Sequence, residues 1–122
     1  MSTFIELKEQ AERDIRVHVP HPSSDSADHF VADTTTYFVE RGAVLLAALR
    51  LWAEPRQETD ADLRALIDSA NAATLEDIAE DLAETRDPQE LLASVQLEGI
   101  AYASPHQLYD TIEFARMGLE SG

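Results

Sequence analysis

Along most of the chain apolar residues recur three and four positions apart, the period of an amphipathic helix. Residues 3–14 place Phe4, Ile5, Leu7 and Ala11 in this way and predict a short charged helix. The next stretch alternates instead. Ile15, Val17 and Val19 are separated by Arg16 and His18, and Pro20, His21 and Pro22 then stop any regular element. Residues 15–27 are therefore expected to form an extended arm and a polar loop, with Ser26 and Asp28 suited to cap the next helix. From 28 to 53, Phe30, Tyr37, Phe38, Leu45, Leu49 and Trp52 mark one long helix, weakened at Thr34, Thr35, Thr36 and Gly42 by poor helix propensity. Its second half, 44–52, is apolar on every side except at Arg50. Such a helix needs burial all round, by its own domain or by another subunit.

Pro55 is expected to end the long helix, and residues 59–119 then read as shorter helices with clear start signals. Thr59 with Asp62 suits a capped helix carrying Leu63, Leu66 and Ile67. Thr74 with Asp77 resembles a second capping box, before Leu75, Ile78, Ala79 and Leu82. Asp87, Pro88 and Glu90 set a cap, a first-turn proline and a third-position glutamate before Leu91, Leu92 and Val95. Ser104 and Pro105 repeat that order before Leu108, Ile112 and Ala115. The prediction is an all-α single domain, 1–122, of five or six helices, with a long central helix and a short extended arm near the N-terminus. Gly118 and the residues after it are expected to fray unless a partner holds them.

Composition changes the picture through the sign of the charge. Twenty-four acids face nine bases, giving a net charge of −15, and Lys8 is the only lysine. The acids run from Glu6 to Glu120 and do not gather in one tail, so they read as a solvated coat more than as a site for a basic partner. Self-repulsion from such a coat falls away when the Debye length shrinks to about 3 Å in molar salt. A halophilic source, cellular or viral, is the expectation. The chain has no cysteine, and its longest uncharged apolar run, 43–49, falls short of the roughly 20 residues that span a bilayer. Charged residues among the first fourteen leave no room for a signal peptide, so the expected location is the cytoplasm, or the virion if the source is viral.

Candidate chemistry is densest at Glu76, Asp77, Glu80, Asp81 and Glu84, two ladders of carboxylates on one predicted helix. Three like-charged pairs four residues apart together cost on the order of 1 kcal/mol in low salt, which ions must offset. Asp110 and Glu113 sit one turn apart downstream and would complete a four-carboxylate Mg²⁺ site with Glu76 and Glu80. That arrangement is similar to the all-α nucleoside triphosphate pyrophosphohydrolases of the MazG type, with the second element here in the order Asp-x-x-Glu. The resemblance implies Mg²⁺-dependent nucleotide hydrolysis as an alternative; a solvated acidic face without catalytic residues or cofactor is the primary expectation. Residues 74–83, 91–95 and 98–102 also resemble the helix-turn-helix core of winged-helix regulators. The would-be recognition helix, 87–98, has no lysine or arginine, so that resemblance implies protein contacts rather than DNA reading. His18, His21 and His29, with Asp25, Asp28 and Asp33 beside them, lack the spacing of a zinc site and read as loop histidines.

No nucleophile elbow and no phosphate-cradling glycine cluster is present, so an enzyme is the less favoured class. Residues 58–73 resemble the acidic helix start of tailed-virus head–tail adaptors, which are small, all-helical and ring-forming. The function expected is thus a non-enzymatic interaction or assembly subunit, forming a homo-oligomer or larger complex with protein partners. Val17, Val19, Val44, Leu45, Leu49, Trp52, Arg41 and Arg50 are its expected interface.

Overall fold

The computed structural model describes residues 2–19 and 29–120, and for 29–33 the backbone alone. Six helices occur in order, with no strand among the described residues: α1 (Phe4–Arg16), α2 (His29–Arg56), α3 (Asp60–Asp68), α4 (Ala72–Glu84), α5 (Pro88–Ala101) and α6 (Pro105–Glu120). None of the described helices is long and apolar enough to cross a membrane. All six contribute to one contiguous core, and α2 packs against each of the other five. That arrangement answers the all-round apolar sequence of α2. Positions 45–49 of α2 are fully buried, and Leu45, Leu46 and Leu49 among them each contribute about 1.5–3 kcal/mol of burial.

The helix starts reflect local chemistry. Thr3 caps α1 by accepting from the Glu6 N–H at 3.1 Å. Thr59 and Asp62 form a reciprocal capping box on α3, and the Thr59 amide and hydroxyl hold the Asp62 carboxyl below the usual carboxylate range. A hydrogen bond to Asp62 pushes the neighbouring Glu58 carboxyl up. Asp87 accepts from the N–H groups of Gln89 and Glu90, with Pro88 in the first turn of α5. Ser104 Oγ accepts from the Gln107 N–H at the start of α6.

Four expectations need correction. Ile15 and Arg16 belong to α1, not to an extended arm: Ala11 and Ile15 continue one buried helical stripe, and His18 and Val19 fold back to donate to the Ile15 carbonyl. Residues 20–27 of the expected arm and loop lie outside the described residues. Pro55 sits inside the last turn of α2, where its missing N–H withdraws only a terminal bond. The helix ends with Gln57 left-handed, Glu58 N–H on Ala53 O and Gln57 N–H on Glu54 O, a Schellman turn. Helix α4 begins earlier than Thr74 suggests, because Asn71 is the cap and Thr74 is its third-position partner. Finally, α6 is held by its own chain to its end, with Gly118 and Leu119 buried and Arg64 Nη2 donating to the Leu119 carbonyl at 2.8 Å, while residues 121–122 of the expected frayed end lie outside the described residues.

Candidate functional site

Helix α5 carries apolar residues on two opposite faces, and only one of them is covered. Its inner face is Ala93, Ser94, Leu97, Ile100 and Ala101. The small side chains among them, Ala93, Ser94 and Ala101, let α5 lie close on α4, where Ser94 Oγ donates to the Ala79 carbonyl at 2.7 Å in a buried bond. The outer face is a stripe about 100° wide made of Leu91, Leu92, Val95, Gly99 and Tyr102, about 16 Å long at the helical rise. Val95 is 65% exposed and Tyr102 76%, with Leu91 and Leu92 near 40%. Single exposed apolar residues are ordinary, but four on one stripe of one helix are a surface.

A groove of about 280 Å³ runs along the Gln96 flank of that stripe, between α5, α2 and α1. Lys8, Glu40, Arg41 and Val44 line its far side. Arg41 stacks over Tyr37, 5.3 Å from guanidinium carbon to ring centroid, and its Nε is buried without a hydrogen-bond partner. Two cations thus face one groove in a chain dominated by acids. On the opposite flank of the stripe Glu98 is exposed.

The interface expected from the sequence is redistributed. Leu45 and Leu49 have no exposed surface and belong to the core of their own chain, which removes them from any intermolecular contact. Val44 and Val19 are half-buried against that core, and Val17, at the end of α1, is 71% exposed. Trp52 is half-buried with its indole N–H on Asp81 at 3.2 Å, while Arg56 stacks on its ring. Arg50 ties three helices together within the chain, reaching Asp14 of α1 at 3.0 Å and Asp60 of α3 at 3.5 Å. Of the eight residues, Val44 and Arg41 stand at the groove beside α5. The sequence places Leu91, Leu92 and Val95 on a helix without choosing their face, and the all-round apolar composition that marks α2 also marks α5.

The carboxylates do not assemble into a metal site. Leu75, Ile78, Ala79 and Leu82 are the buried face of α4, as the ladder pattern implies, and Glu76, Asp77, Glu80 and Glu84 lie away from it. Helix α4 packs on α5 and α2, whereas α6, with Asp110 and Glu113, packs on α2, α1, α3 and α5. Glu113 is engaged by Arg116, which also reaches Asp68 at 3.2 Å. Among the described residues no group of three or more His, Cys, Asp or Glu converges as a metal would require, so Glu76, Glu80, Asp110 and Glu113, the residues of the alternative Mg²⁺ reading, are not brought together. His18 is exposed in the turn after α1, and His21 and the His29 side chain lie outside the described residues. Helices α4 and α5 do form a helix–turn–helix pair across Thr85, Arg86 and Asp87, but the outward face of its second helix is apolar. Comparison with protein-family models, curated proteins and solved structures finds no match to this chain.

Proposed function

We propose that this chain is a non-enzymatic assembly subunit that self-associates through the outer face of α5, and that it works in concentrated salt. The carrying observation is the exposed stripe of Leu91, Leu92, Val95 and Tyr102. The occupant is a second copy. Gly99 has open space where a β-carbon would stand, so a second helix can approach the middle of the stripe closely. In a parallel two-fold pair the Gln96 flank of each copy faces the Glu98 flank of the other, which sets Glu98 against Lys8 and Arg41. High salt favours such a pair by screening the repulsion between two chains of charge −15. In this reading α2 is the scaffold that holds the interface helix, and the two-fold pair is the unit from which a larger assembly, such as a virus head–tail connector, would be built through a second contact.

Sedimentation equilibrium in about 2 M KCl, where screening is nearly complete, tests this directly. The wild type is expected to be dimeric or larger at micromolar concentration, and Val95→Glu monomeric with an unchanged helical spectrum. A wild-type monomer with an intact fold under those conditions removes the proposal.

A further inference from the structure

Lys8 and Arg41 line the groove beside α5, both of them half-buried, and neither makes an ion pair among the described residues. That is unexpected in a chain whose acids outnumber its bases by twenty-four to nine. Glu40, the acid that also lines the groove, is exposed at its edge, so the charge withdrawn from water is positive. Arg41 is the more demanding of the two cations. Its Nε is buried without an acceptor, and stacking over Tyr37 holds the guanidinium in place. A charge partly removed from water gains more from a counter-ion than an exposed one, because solvent answers less of its field.

The rest of the lining selects among anions. Val44, Val95 and Ile100 are apolar, and Gly99 leaves open space. A phosphate or sulfate, charged on every side, would press oxygens against the valines. A carboxylate carries its charge at one end, in a planar fork that fits a guanidinium. The groove's volume of about 280 Å³, just below the range of drug-sized sites, suits a body of a few carbons. We infer that the groove binds a short-chain aliphatic monocarboxylate, its carboxylate on Arg41 and Lys8 and its hydrocarbon against Val44 and Val95. These are the cations that Glu98 of a second copy meets in the two-fold pair, so the free acid and Glu98 compete and the acid releases the pair. The competition rests on self-association through α5; the binding does not.

The Arg41 Nε–H resonance reads the site directly. It is followed in Leu91→Glu, which breaks the stripe on the flank away from the groove and leaves no second copy to compete. Potassium stays at about 2 M to screen the acidic coat while butyrate replaces chloride stepwise. A saturable shift with a Kd in the millimolar range is expected, weakened severalfold by Lys8→Gln and unchanged by Glu80→Gln on the exposed face of α4. Should Lys8→Gln lose its fold, Arg41→Lys, followed through the Tyr37 ring, is expected to show the same weakening. Absence of a saturable shift, an equal shift with butanol, or equal weakening by Glu80→Gln would overturn the site. Sedimentation of the wild type in the same solutions tests the competition: butyrate is expected to dissociate the pair, and binding in Leu91→Glu without release of the wild-type pair overturns it. A wild type that is monomeric without butyrate removes the self-association and leaves the site to stand or fall on the resonance alone.

Discussion

At Gln57 and Arg86 the backbone turns left-handed, with φ of 58° and 60°, at the residue just past the C-terminal cap of α2 and of α4. A side chain there places Cβ against the next carbonyl, a strain of roughly 1–2 kcal/mol that glycine avoids. Gln57→Gly and Arg86→Gly are each expected to stabilise the chain by about 1 kcal/mol, the relief of strain exceeding the added freedom of the unfolded chain. Denaturant unfolding at fixed salt checks this, and Gln57→Ala, which keeps the Cβ, should show no gain. These positions were illegible in the sequence for a plain reason. Helix starts announce themselves through side chains that bond the backbone, as Thr59 and Asp87 do, whereas a helix end needs only a conformation, which any residue adopts at a cost. Pro55 therefore looked like the stop, although Gln57 is where the chain turns.

At the scale of elements, α2 and α6 run in the same direction and touch through glycine. Gly42 meets Phe114 and Ala115, and four residues further along each helix Gly118 meets Leu46. A β-carbon on Gly42 would stand 2.7 Å from Phe114 Cβ and 3.1 Å from the Ala115 backbone nitrogen, with nowhere to move. Gly42→Ala is thus expected to destabilise by about 1–3 kcal/mol despite the better helix propensity of alanine. In the Val95→Glu background, where no second copy packs on α5, Gly99→Ala meets open space and should stabilise by up to about 1 kcal/mol, so opposite shifts of the unfolding midpoint check the pair. Propensity made Gly42 look like a weak point, while its reason is the crossing, which no local pattern records. The same limit explains α5. Apolar residues occupy both of its faces, so periodicity locates the helix but cannot choose the side that small Ala93, Ser94 and Ala101 allow to pack. For α2 the ambiguity resolved the other way, since five helices of the same chain cover it.

For the whole molecule the question is how twenty-four acids are balanced. Among the described residues the ion pairs gather on two arginines, Arg50 and Arg116, and reach Asp14, Asp60, Asp68 and Glu113. Other arginines answer different needs: Arg41 and Arg56 lie over aromatic rings, and Arg64 holds a carbonyl. Most carboxylates of the described residues, those of the α4 ladder other than Asp81 included, are left to solvent ions. The dispersal of charge was legible from the sequence alone; that so little of it is cancelled internally needed the fold. Raising KCl from about 0.05 M to 2 M should lift the melting temperature by at least about 5 °C, the equivalent of one to two kcal/mol in a chain of this size. Glu80→Gln, which removes the like-charged pairs with Glu76 and Glu84, should raise stability by about half a kcal/mol at the low salt and by nothing measurable at the high one. Equal melting at both salts would mean that the acidic coat does not strain the fold. Self-association also strengthens with salt, so the measurement is repeated across protein concentration. A shift due to screening within one chain is independent of concentration, whereas a shift due to pairing through α5 grows with it and is absent in Val95→Glu. Both components are expected in the wild type, and only the first in that variant.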